Sequence, residues 1–327
     1  MKVLIIGAGA FGTALATTLA KKNPSVSLWV PNEVQRKKII TKGINEKYLP
    51  GIKLSKNLII QEKLETVASE VDIILLCLPA QKTKPFLIKN KNVFAKRSTI
   101  VLCGKGIDAH TLDLQSNILK SILPKQDYAI LSGPGFADEI AQDLPTAMVI
   151  AHSKIKTAKN LQSLLSTKTL RLYSSNDPIG VQLGGALKNV IAISCGIAVG
   201  LNLGESAKAS LMIRGFSEIY NISIKLGARR KTLLGLSGFG DLALTCNSEK
   251  SRNFTAGVKI SRKERFSYGK PQPTTIEGIK TAEATLKIAK KLELDMPIFN
   301  AVTKVFKESI TPQRAAELLL KRPLRVE

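Results

Sequence analysis

The sequence is poor in aromatic residues, histidine and cysteine. Aromatic side chains make up 5% of the 327 residues, with one Trp, and there are two His and four Cys. The cysteines form no C-x-x-C pair and have no His at a ligand spacing, which argues against a metal site or a disulfide framework. Because free cysteines within apolar runs are typical of a reducing compartment, we expect a cytoplasmic protein that binds no metal.

Acidic residues are also scarce, at 25 against 49 Lys and Arg, and the formal charge is +24. Such a charge suggests nucleic acid or an anionic membrane as a partner. However, residues 1–178 and 179–327 carry +12 each, and 37 of the 49 cations are Lys. An even Lys excess is more typical of a solvated surface. We expect no specific nucleic-acid partner, while non-specific adhesion at low salt stays open.

No apolar run is long enough to predict a membrane span. The main candidate, residues 190–203, has about 14 residues, whereas a spanning helix needs about 20. Glycines and threonines interrupt the apolar N-terminus, which argues against a signal peptide. We therefore expect no integral membrane contact.

What the sequence does contain is an alternation of β-branched runs with amphipathic segments. Strands are predicted at 3–6, 26–30, 73–78, 99–103, 128–131, 146–151 and 170–173, and helices at 13–22, 64–69 and 112–123. This pattern predicts an α/β fold, with a doubly wound, Rossmann-like, mostly parallel sheet in a dinucleotide-binding domain over residues 1–178.

After Asp177-Pro178 the sequence becomes rich in Ala, Leu and Ile, with few strand-like alternations. Helices are predicted at 182–199, 207–226, 281–292, 298–307 and 312–321, with a Pro-rich loop at 270–275. We expect a second, all-α domain over residues 179–327 that binds the substrate and carries the catalytic residues.

A glycine-rich segment, Gly7-Ala8-Gly9-Ala10-Phe11-Gly12, lies between the first predicted strand and helix. In a dinucleotide fold, Gly7 allows the tight turn, Gly9 the approach of a pyrophosphate and Gly12 close helix packing. The flanking elements favour dinucleotide binding over a purely structural turn.

The end of the second strand normally distinguishes NAD from NADP, because a carboxylate there binds ribose hydroxyls and a cation binds a 2′-phosphate. Glu33 fits the first role and Arg36 the second, and each also fits an exposed charge at a helix start. The preference between NAD(H) and NADP(H) stays open.

Two glycine-rich loops follow later strands of the predicted sheet. Lys105 lies between Gly104 and Gly106 and can bind an anion, or it is a surface lysine. The loop Ser132-Gly133-Pro134-Gly135 follows the next strand, and a plain turn is its alternative. Ligands of doubly wound folds bind at these strand ends.

In the second half, Lys188 interrupts an otherwise small and apolar helical segment. Burial would make such a lysine a candidate general base, the alternative being a lysine that reaches solvent. Asp241, after Gly240, is a candidate functional residue or an ordinary helix cap. Ser251-Arg252-Asn253 could hold a phosphate or cap a helix.

Together these segments resemble the NAD(P)-dependent glycerol-3-phosphate dehydrogenase family of the bacterial type. The matching blocks run in family order along nearly the whole chain: Gly7 to Gly12, Lys105-Gly106, Ser132-Gly133-Pro134 with Phe136-Ala137, residues 179–192, Gly240-Asp241-Leu242 with Leu244-Thr245-Cys246, Ser251-Arg252-Asn253, and Glu277-Gly278.

The resemblance implies reversible hydride transfer between a nicotinamide and C2 of dihydroxyacetone phosphate or sn-glycerol 3-phosphate, supplying glycerophosphate for phospholipid synthesis. It implies that Lys188 is the proton acceptor and donor, and that the enzyme is a homodimer. Substrate contacts are implied for Lys105, Gly133, Gly135, Lys188, Asn189, Asp241, Thr245, Ser251, Arg252 and Asn253. Cofactor contacts are implied for Gly7, Gly9, Ala10, Phe11, Gly12, Lys105, Ala137, Arg252, Thr275 and Glu277.

The chain departs from the family pattern at two places. Gly135 stands where bacterial members usually carry Thr or Ser, so a hydroxyl contact to the substrate is absent or replaced by backbone N–H. Pro31-Asn32 replaces the His or Arg that commonly follows the second strand, which leaves NADP preference open. A β-hydroxyacid dehydrogenase with the same two domains and another substrate is the alternative enzyme.

Overall fold

A computed structural model describes residues 1–264 and 276–322 of the chain. The predicted loop at 270–275, which includes the cofactor candidate Thr275, lies outside these residues. The chain divides into two compact units: unit 1 comprises Met1–Lys105 and Leu114–Val181, and unit 2 comprises Gly106–Asp113 and Gln182–Glu327. No local pattern indicates that Gly106–Asp113 groups with unit 2, because that grouping depends on tertiary contacts.

Unit 1 contains an eight-stranded sheet in the order β3-β2-β1-β4-β5-β6-β7-β8. Its strands are β1 (Val3–Ile6), β2 (Val26–Trp29), β3 (Ile59–Gln61), β4 (Ile73–Leu76), β5 (Thr99–Leu102), β6 (Asp127–Ser132), β7 (Thr146–Ala151) and β8 (Leu170–Ser175). Neighbouring strands pair in parallel except β6 and β7, which are antiparallel. The predicted doubly wound, mostly parallel fold is confirmed.

The continuous apolar runs are buried on both faces of this sheet, as parallel strands covered on both sides require. All four residues of β1 and all four of β4 are buried. Strand β3 was not predicted, because it has three residues, ends in Gln61 and is only partly buried. A short edge strand shows neither a buried run nor a clear alternation.

The helices described in unit 1 are α1 (Ala10–Lys22), α2 (Glu33–Lys42), α3 (Glu65–Ala68), α4 (Ala80–Lys89), α5 (Gln115–Ile122), α6 (Ala137–Ala141) and α7 (Ile155–Leu165). The sequence pattern gave no limits for helices α2, α4, α6 and α7. In α2 only Ile39 is buried, and α4 contains Pro85, so neither shows a wide apolar stripe.

The described part of unit 2 has helices as its only regular elements, which confirms the predicted all-α region. They are α8 (Pro178–Gly200), which begins in unit 1, α9 (Glu205–Lys225), α10 (Arg230–Leu233), α11 (Asp241–Cys246), α12 (Arg252–Ser261), α13 (Glu277–Lys291), α14 (Pro297–Phe306) and α15 (Pro312–Leu320). A π-helical turn, Leu236–Gly240, directly precedes α11.

Helix α8 is longer than the apolar run at 190–203 indicates. Its 23 residues are long and apolar enough to cross a membrane by length and composition, so the length argument alone was insufficient. However, 89% of its most apolar window is buried inside the protein, as in the core helix of a folded domain. It meets α12 at close range, because a Cβ on Gly196 would lie 2.0 Å from the Phe254 carbonyl oxygen.

Candidate functional site

The glycine-rich loop between β1 and α1 has the form that a pyrophosphate requires. Gly7 has a φ of +116°, and a Cβ on Gly12 would lie 2.0 Å from the Gly7 carbonyl oxygen. By contrast, a Cβ on Gly9 would have no described atom within 4 Å. The N–H groups of Ala10 and Phe11 begin α1 and have no partner within the helix. The loop therefore fits a bound dinucleotide, with open space at Gly9.

Two amide side chains that the sequence does not single out hold this loop in place. Gln35 Nε2 and Asn45 Nδ2 donate to the Ala8 carbonyl oxygen at 2.9 and 3.1 Å. Asn45, which is fully buried, also donates to Thr13 Oγ1 at 2.8 Å. These residues come from α2 and the loop after it, and only the folded chain brings them to Ala8.

The residues after β2 that bear on cofactor preference are already hydrogen-bonded. Asn32 caps α2 by accepting from Gln35 N–H, at 2.8 Å, and Glu33 pairs with Lys37. Arg36 pairs with Glu62, which directly follows β3, with 2.8 Å between Nη2 and Oε1. Of the two predicted alternatives, Glu33 and Arg36, neither is an isolated charge.

The two loops that follow β5 and β6 meet through Lys105. Its Nζ donates to the Gly133 carbonyl oxygen at 3.2 Å. Gly133 has a φ of +148°, and a Cβ there would lie 2.9 Å from Met148 Cα, so a larger residue is excluded. Lys105 is partly exposed and follows β5, at the carboxyl end of a parallel strand, where doubly wound folds bind ligands.

The neighbourhood of Gly135 explains how the chain tolerates its departure from the family pattern. A Cβ at this position would lie 2.8 Å from Thr146 Cγ2 and 3.3 Å from Ile140 Cδ1. The space that a Ser or Thr would use is therefore filled by neighbouring side chains. Ala137 begins α6 and packs partly buried against the core of unit 1.

Asp108 stabilises a turn in the segment that follows Lys105. The sequence did not indicate this role. The Asp108 carboxylate accepts from the N–H groups of His110 and Thr111 at 3.0 and 2.8 Å. Burial alone would raise the pKa of Asp108, but these hydrogen bonds outweigh it and lower the pKa overall. The turn stabilises the segment that immediately follows Lys105.

In unit 2, Lys188 is buried in α8 and has two polar partners on α11. Its Nζ forms an ion pair with the Asp241 carboxylate, with side-chain exposures of 7% and 1%. Nζ also donates to Thr245 Oγ1 at 2.6 Å, and that hydroxyl donates to the Asp241 carbonyl oxygen at 2.6 Å. Lys188 is therefore not a surface lysine, and Asp241 is not merely a helix cap.

The backbone of α8 closely approaches the π-helical turn one helical turn before Lys188, and this contact brings Lys188 close to Asp241. Gly184 lies four residues before Lys188, and a Cβ on it would be 2.4 Å from the Ser237 carbonyl oxygen. Ser237 lies in the π-helical turn, four residues before Asp241. Because α8 touches this turn at Gly184, the next turn of each helix brings Lys188 to Asp241. The cluster depends on a glycine that has no polar group of its own.

The segment Ser251-Arg252-Asn253 begins α12. Ser251 is the helix cap, because its Oγ accepts from Phe254 N–H at 3.2 Å. Asn253 Oδ1 accepts from Gly278 N–H, at 3.1 Å, next to Glu277 at the start of α13. Arg252 is exposed. The structure thus supports the capping alternative for Ser251, while phosphate binding by the segment stays a prediction.

Within unit 2, Asn189 belongs to the same neighbourhood as Asn253. A Cβ on Gly278 would lie 2.9 Å from the Asn189 carbonyl oxygen and 2.9 Å from Asn253 Oδ1. Helices α8, α12 and α13 therefore converge one residue from Lys188. Unit 2 brings together Lys188, Asn189, Asp241, Thr245 and Asn253, and unit 1 brings together Lys105 and Gly133.

Three of the four cysteines, Cys103, Cys195 and Cys246, are buried, and the pKa is raised for two of them. A hydrogen bond with Cys195, together with burial, raises the pKa of Cys246, which directly follows Thr245. Burial raises the pKa of Cys103 in the same way. No group of three His, Cys, Asp or Glu residues suited to a metal occurs within residues 1–264 and 276–322.

Comparisons with known proteins identify the family. A family model for the N-terminus of NAD-dependent glycerol-3-phosphate dehydrogenase matches residues 2–158, and one for the C-terminus matches residues 177–317. Proteins named glycerol-3-phosphate dehydrogenase (NAD(P)+) from Ruegeria sp. and Paracoccus denitrificans are 43% and 44% identical over 327 residues, covering all of both chains.

A solved structure agrees. The crystal structure of glycerol-3-phosphate dehydrogenase from Coxiella burnetii matches with a TM-score of 0.91 and 31% identity, covering 98% of this chain and 99% of that one. The resemblance inferred from the motifs is confirmed, since both halves of the chain match over nearly their full length. The chain belongs to the family of NAD-dependent glycerol-3-phosphate dehydrogenases.

Proposed function

We propose that the protein interconverts dihydroxyacetone phosphate and sn-glycerol 3-phosphate, with a nicotinamide dinucleotide as the redox partner. The observation that carries this proposal is the buried cluster of Lys188, Asp241 and Thr245, in a chain of this family. Such a cluster presents one proton-transferring group in a fixed position, which carbonyl reduction requires.

In the reducing direction, Lys188 is the proton donor to the C2 oxygen. The ion pair with Asp241 presents it as an ammonium, and Thr245 fixes the direction of Nζ. As C2 becomes tetrahedral, negative charge develops on its oxygen, and a positioned ammonium stabilises that charge before donating the proton. In the oxidising direction, the neutral amine accepts the same proton.

The residues of unit 1 fit the dinucleotide that this reaction needs. Open space at Gly9 and the N–H groups at the start of α1 suit a pyrophosphate. When bound, the nicotinamide ring supplies or accepts the hydride. We assign dinucleotide contacts to Gly7, Gly9, Ala10, Phe11, Gly12 and Ala137 in unit 1, and to Lys105, Arg252 and Glu277 as further candidates.

Substrate binding is proposed for cationic and amide groups. Lys105 and Arg252 are charges suited to the phosphate of a three-carbon substrate, and Asn189 and Asn253 supply amide groups. Gly133 and Gly135 contribute backbone only, since neither has a side chain. Ser251 acts by capping α12, which holds Arg252 and Asn253 at the helix start.

The test is steady-state oxidation of NADH and NADPH by the purified protein with dihydroxyacetone phosphate. We expect turnover with at least one dinucleotide, and a loss of about 100- to 10,000-fold in kcat for Lys188→Met. Urea unfolding of K188M controls for the folding of unit 2, which contains Lys188, and titration with NADH shows whether the glycine-rich loop of unit 1 still binds the dinucleotide. Turnover by K188M at the wild-type rate would refute the assigned role.

A substrate panel separates this proposal from the β-hydroxyacid alternative. If Lys105 and Arg252 bind phosphate, dihydroxyacetone should be a far poorer substrate than its phosphate ester, and Arg252→Gln should reduce that difference. Equal rates with phosphate-free hydroxyacids would favour the alternative.

The proposal extends to the compartment and the oligomeric state. We place the enzyme in the cytoplasm, where it supplies glycerophosphate for phospholipid synthesis, and we assign it a homodimeric state. Light scattering of the purified protein tests the oligomeric state, and cell fractionation tests the compartment.

A further inference from the structure

The guanidinium of Arg36 lies at the carboxyl end of β2, where dinucleotide folds bind the adenosine ribose. Arg36 is one turn into α2, but its side chain folds back, and Nη1 donates to the Val30 carbonyl oxygen at 3.1 Å. Only 11% of the side chain is exposed. This arginine is therefore the natural candidate to bind a 2′-phosphate at this edge of the sheet.

Arg36 already forms an ion pair with Glu62, which follows the neighbouring strand β3. Glu62 Oε1 lies 2.8 Å from Arg36 Nη2. The backbone holds Glu62 in place, because its carbonyl oxygen accepts from Trp29 Nε1 at 2.9 Å, and Val30 N–H donates to the Gln61 carbonyl oxygen at 2.9 Å. The ion pair is thus anchored to the end of the sheet rather than to a mobile surface.

Pro31, Asn32 and Lys37 do not replace the arginine. Pro31 and Asn32 carry no charge, and Asn32 Oδ1 is used as the cap of α2. Lys37 pairs with Glu33 on the exposed side of α2, with 2.7 Å between Nζ and Oε1. The local chemistry is an arginine neutralised by a carboxylate, whose 63% exposed side chain retains a second oxygen as an acceptor.

We propose that the Glu62–Arg36 ion pair makes this protein selective for NAD(H) over NADP(H). The inference rests on the proposed function for its redox partner, but it concerns only the adenosine end of that partner. A 2′-phosphate brought to this edge would meet the negative charge of Glu62, and it would have to displace that carboxylate to reach Arg36. A ribose hydroxyl carries no charge and meets a hydrogen-bond acceptor.

The test uses nucleotide fragments, so its readout does not depend on turnover. The full-length protein is titrated calorimetrically with ADP-ribose and with 2′-phospho-ADP-ribose. We expect wild type to bind ADP-ribose roughly tenfold tighter or more, the size of one lost charge-assisted hydrogen bond. Glu62→Gln should shrink that ratio roughly tenfold by releasing Arg36.

Two further variants test whether the change in the ratio of the two affinities depends on the ion pair between Glu62 and Arg36. Glu65→Gln removes an exposed carboxylate three residues along the chain, so it has the same net charge as E62Q and should keep the wild-type ratio. In the double variant E62Q with Arg36→Gln, the improved binding of 2′-phospho-ADP-ribose that we expect for E62Q should disappear. A general loss of stability would not produce this dependence on Arg36.

The outcomes separate the inference from the proposed function. Tighter binding of 2′-phospho-ADP-ribose by wild type, or an unchanged ratio in E62Q, overturns the inference while turnover of dihydroxyacetone phosphate stays intact. Selective binding of ADP-ribose without that turnover would support the inference and refute the proposed substrate. Binding of neither fragment would overturn the inference, and turnover of dihydroxyacetone phosphate would still decide the proposed function separately.

Discussion

The Lys188 ammonium and the Asp241 carboxylate form an ion pair that is shielded from solvent on both sides, with 7% and 1% of the two side chains exposed. Removing two charges from water costs more than their attraction usually returns, so such a pair is weak evidence for stability. Its presence in a helix that has no other charged residue instead points to a catalytic role. Thr245 adds the third group that fixes the ammonium.

The cost of burying this ion pair should be measurable as a difference in the free energy of unfolding between a single and a double variant. Lys188→Met leaves the Asp241 carboxylate buried without its partner, and we expect it to lower the free energy of unfolding by about 3–5 kcal/mol. Replacing both residues, as Lys188→Met with Asp241→Leu, should recover most of that loss in stability, while kcat stays as low as in K188M or lower. Urea unfolding of the three proteins measures this, and a double variant no more stable than K188M would contradict the expectation.

Thr245 should act as a positioning residue. Thr245→Val keeps the shape but removes the hydroxyl that accepts from Nζ at 2.6 Å. Loss of a hydrogen bond to a charged group costs about 1.5 kcal/mol, so kcat should fall about tenfold. KM for dihydroxyacetone phosphate should change less, and Thr245→Ser should restore kcat. A T245S variant as slow as T245V would show that the methyl group, not the hydroxyl, is what matters.

Much of the fold could be predicted because its physical signals are local. The apolar runs of β1 and β7 are complete in the sequence, and their observed limits are the predicted ones. The glycine-rich loop was recognisable because Gly7, Gly9 and Gly12 each meet a different steric requirement of the dinucleotide-binding turn. Lys188 was recognisable because a lone charge in an apolar helix requires a partner.

The partners themselves could not be predicted, because they depend on how elements pack. Asn45 reaches Ala8 from 37 residues away, and Glu62 reaches Arg36 from the end of a strand too short to show a pattern. The crossing of α8 with the π-helical turn depends on Gly184, whose contact is backbone only. None of these contacts can be recognised from the periodicity or the composition of the sequence.

Two glycines of the same loop should respond differently to alanine. At Gly9, which precedes α1 with a φ of −79°, a Cβ would contact nothing, so Gly9→Ala should change stability by less than about 1 kcal/mol. The methyl group would occupy the open space, and the Kd for NADH should rise at least about tenfold. At Gly12 the Cβ would overlap the Gly7 carbonyl, and Gly12→Ala should cost about 2 kcal/mol or more in stability.

Thermal unfolding and fluorescence titration with NADH separate the two effects. A Gly9→Ala protein that binds NADH as tightly as wild type would show that the pyrophosphate does not approach this residue. A Gly12→Ala protein of unchanged stability would show that α1 can shift away from Gly7.

Glu218 is a buried carboxyl that the reaction does not use, and it should make stability depend on pH. It lies in α9 and accepts from the N–H groups of Ile298 and Phe299, at 2.8 and 3.3 Å, at the start of α14. Burial raises its pKa to about 7, against the effect of these hydrogen bonds, and Asp295 adds to the rise while Arg322 opposes it.

Because the folded protein then holds a proton that the unfolded chain releases near pH 4.5, stability should fall as pH rises from 4.5 to 7. The contribution of Glu218 is fully present below pH 4.5 and lost above pH 7, and it amounts to roughly 3 kcal/mol at most. Glu218→Gln cannot titrate, so its unfolding free energy should change less than that of wild type across this range. Glu317→Gln, which removes an exposed carboxylate on α15, should keep the wild-type slope. Equal slopes in E218Q and wild type would assign the pH dependence to other groups.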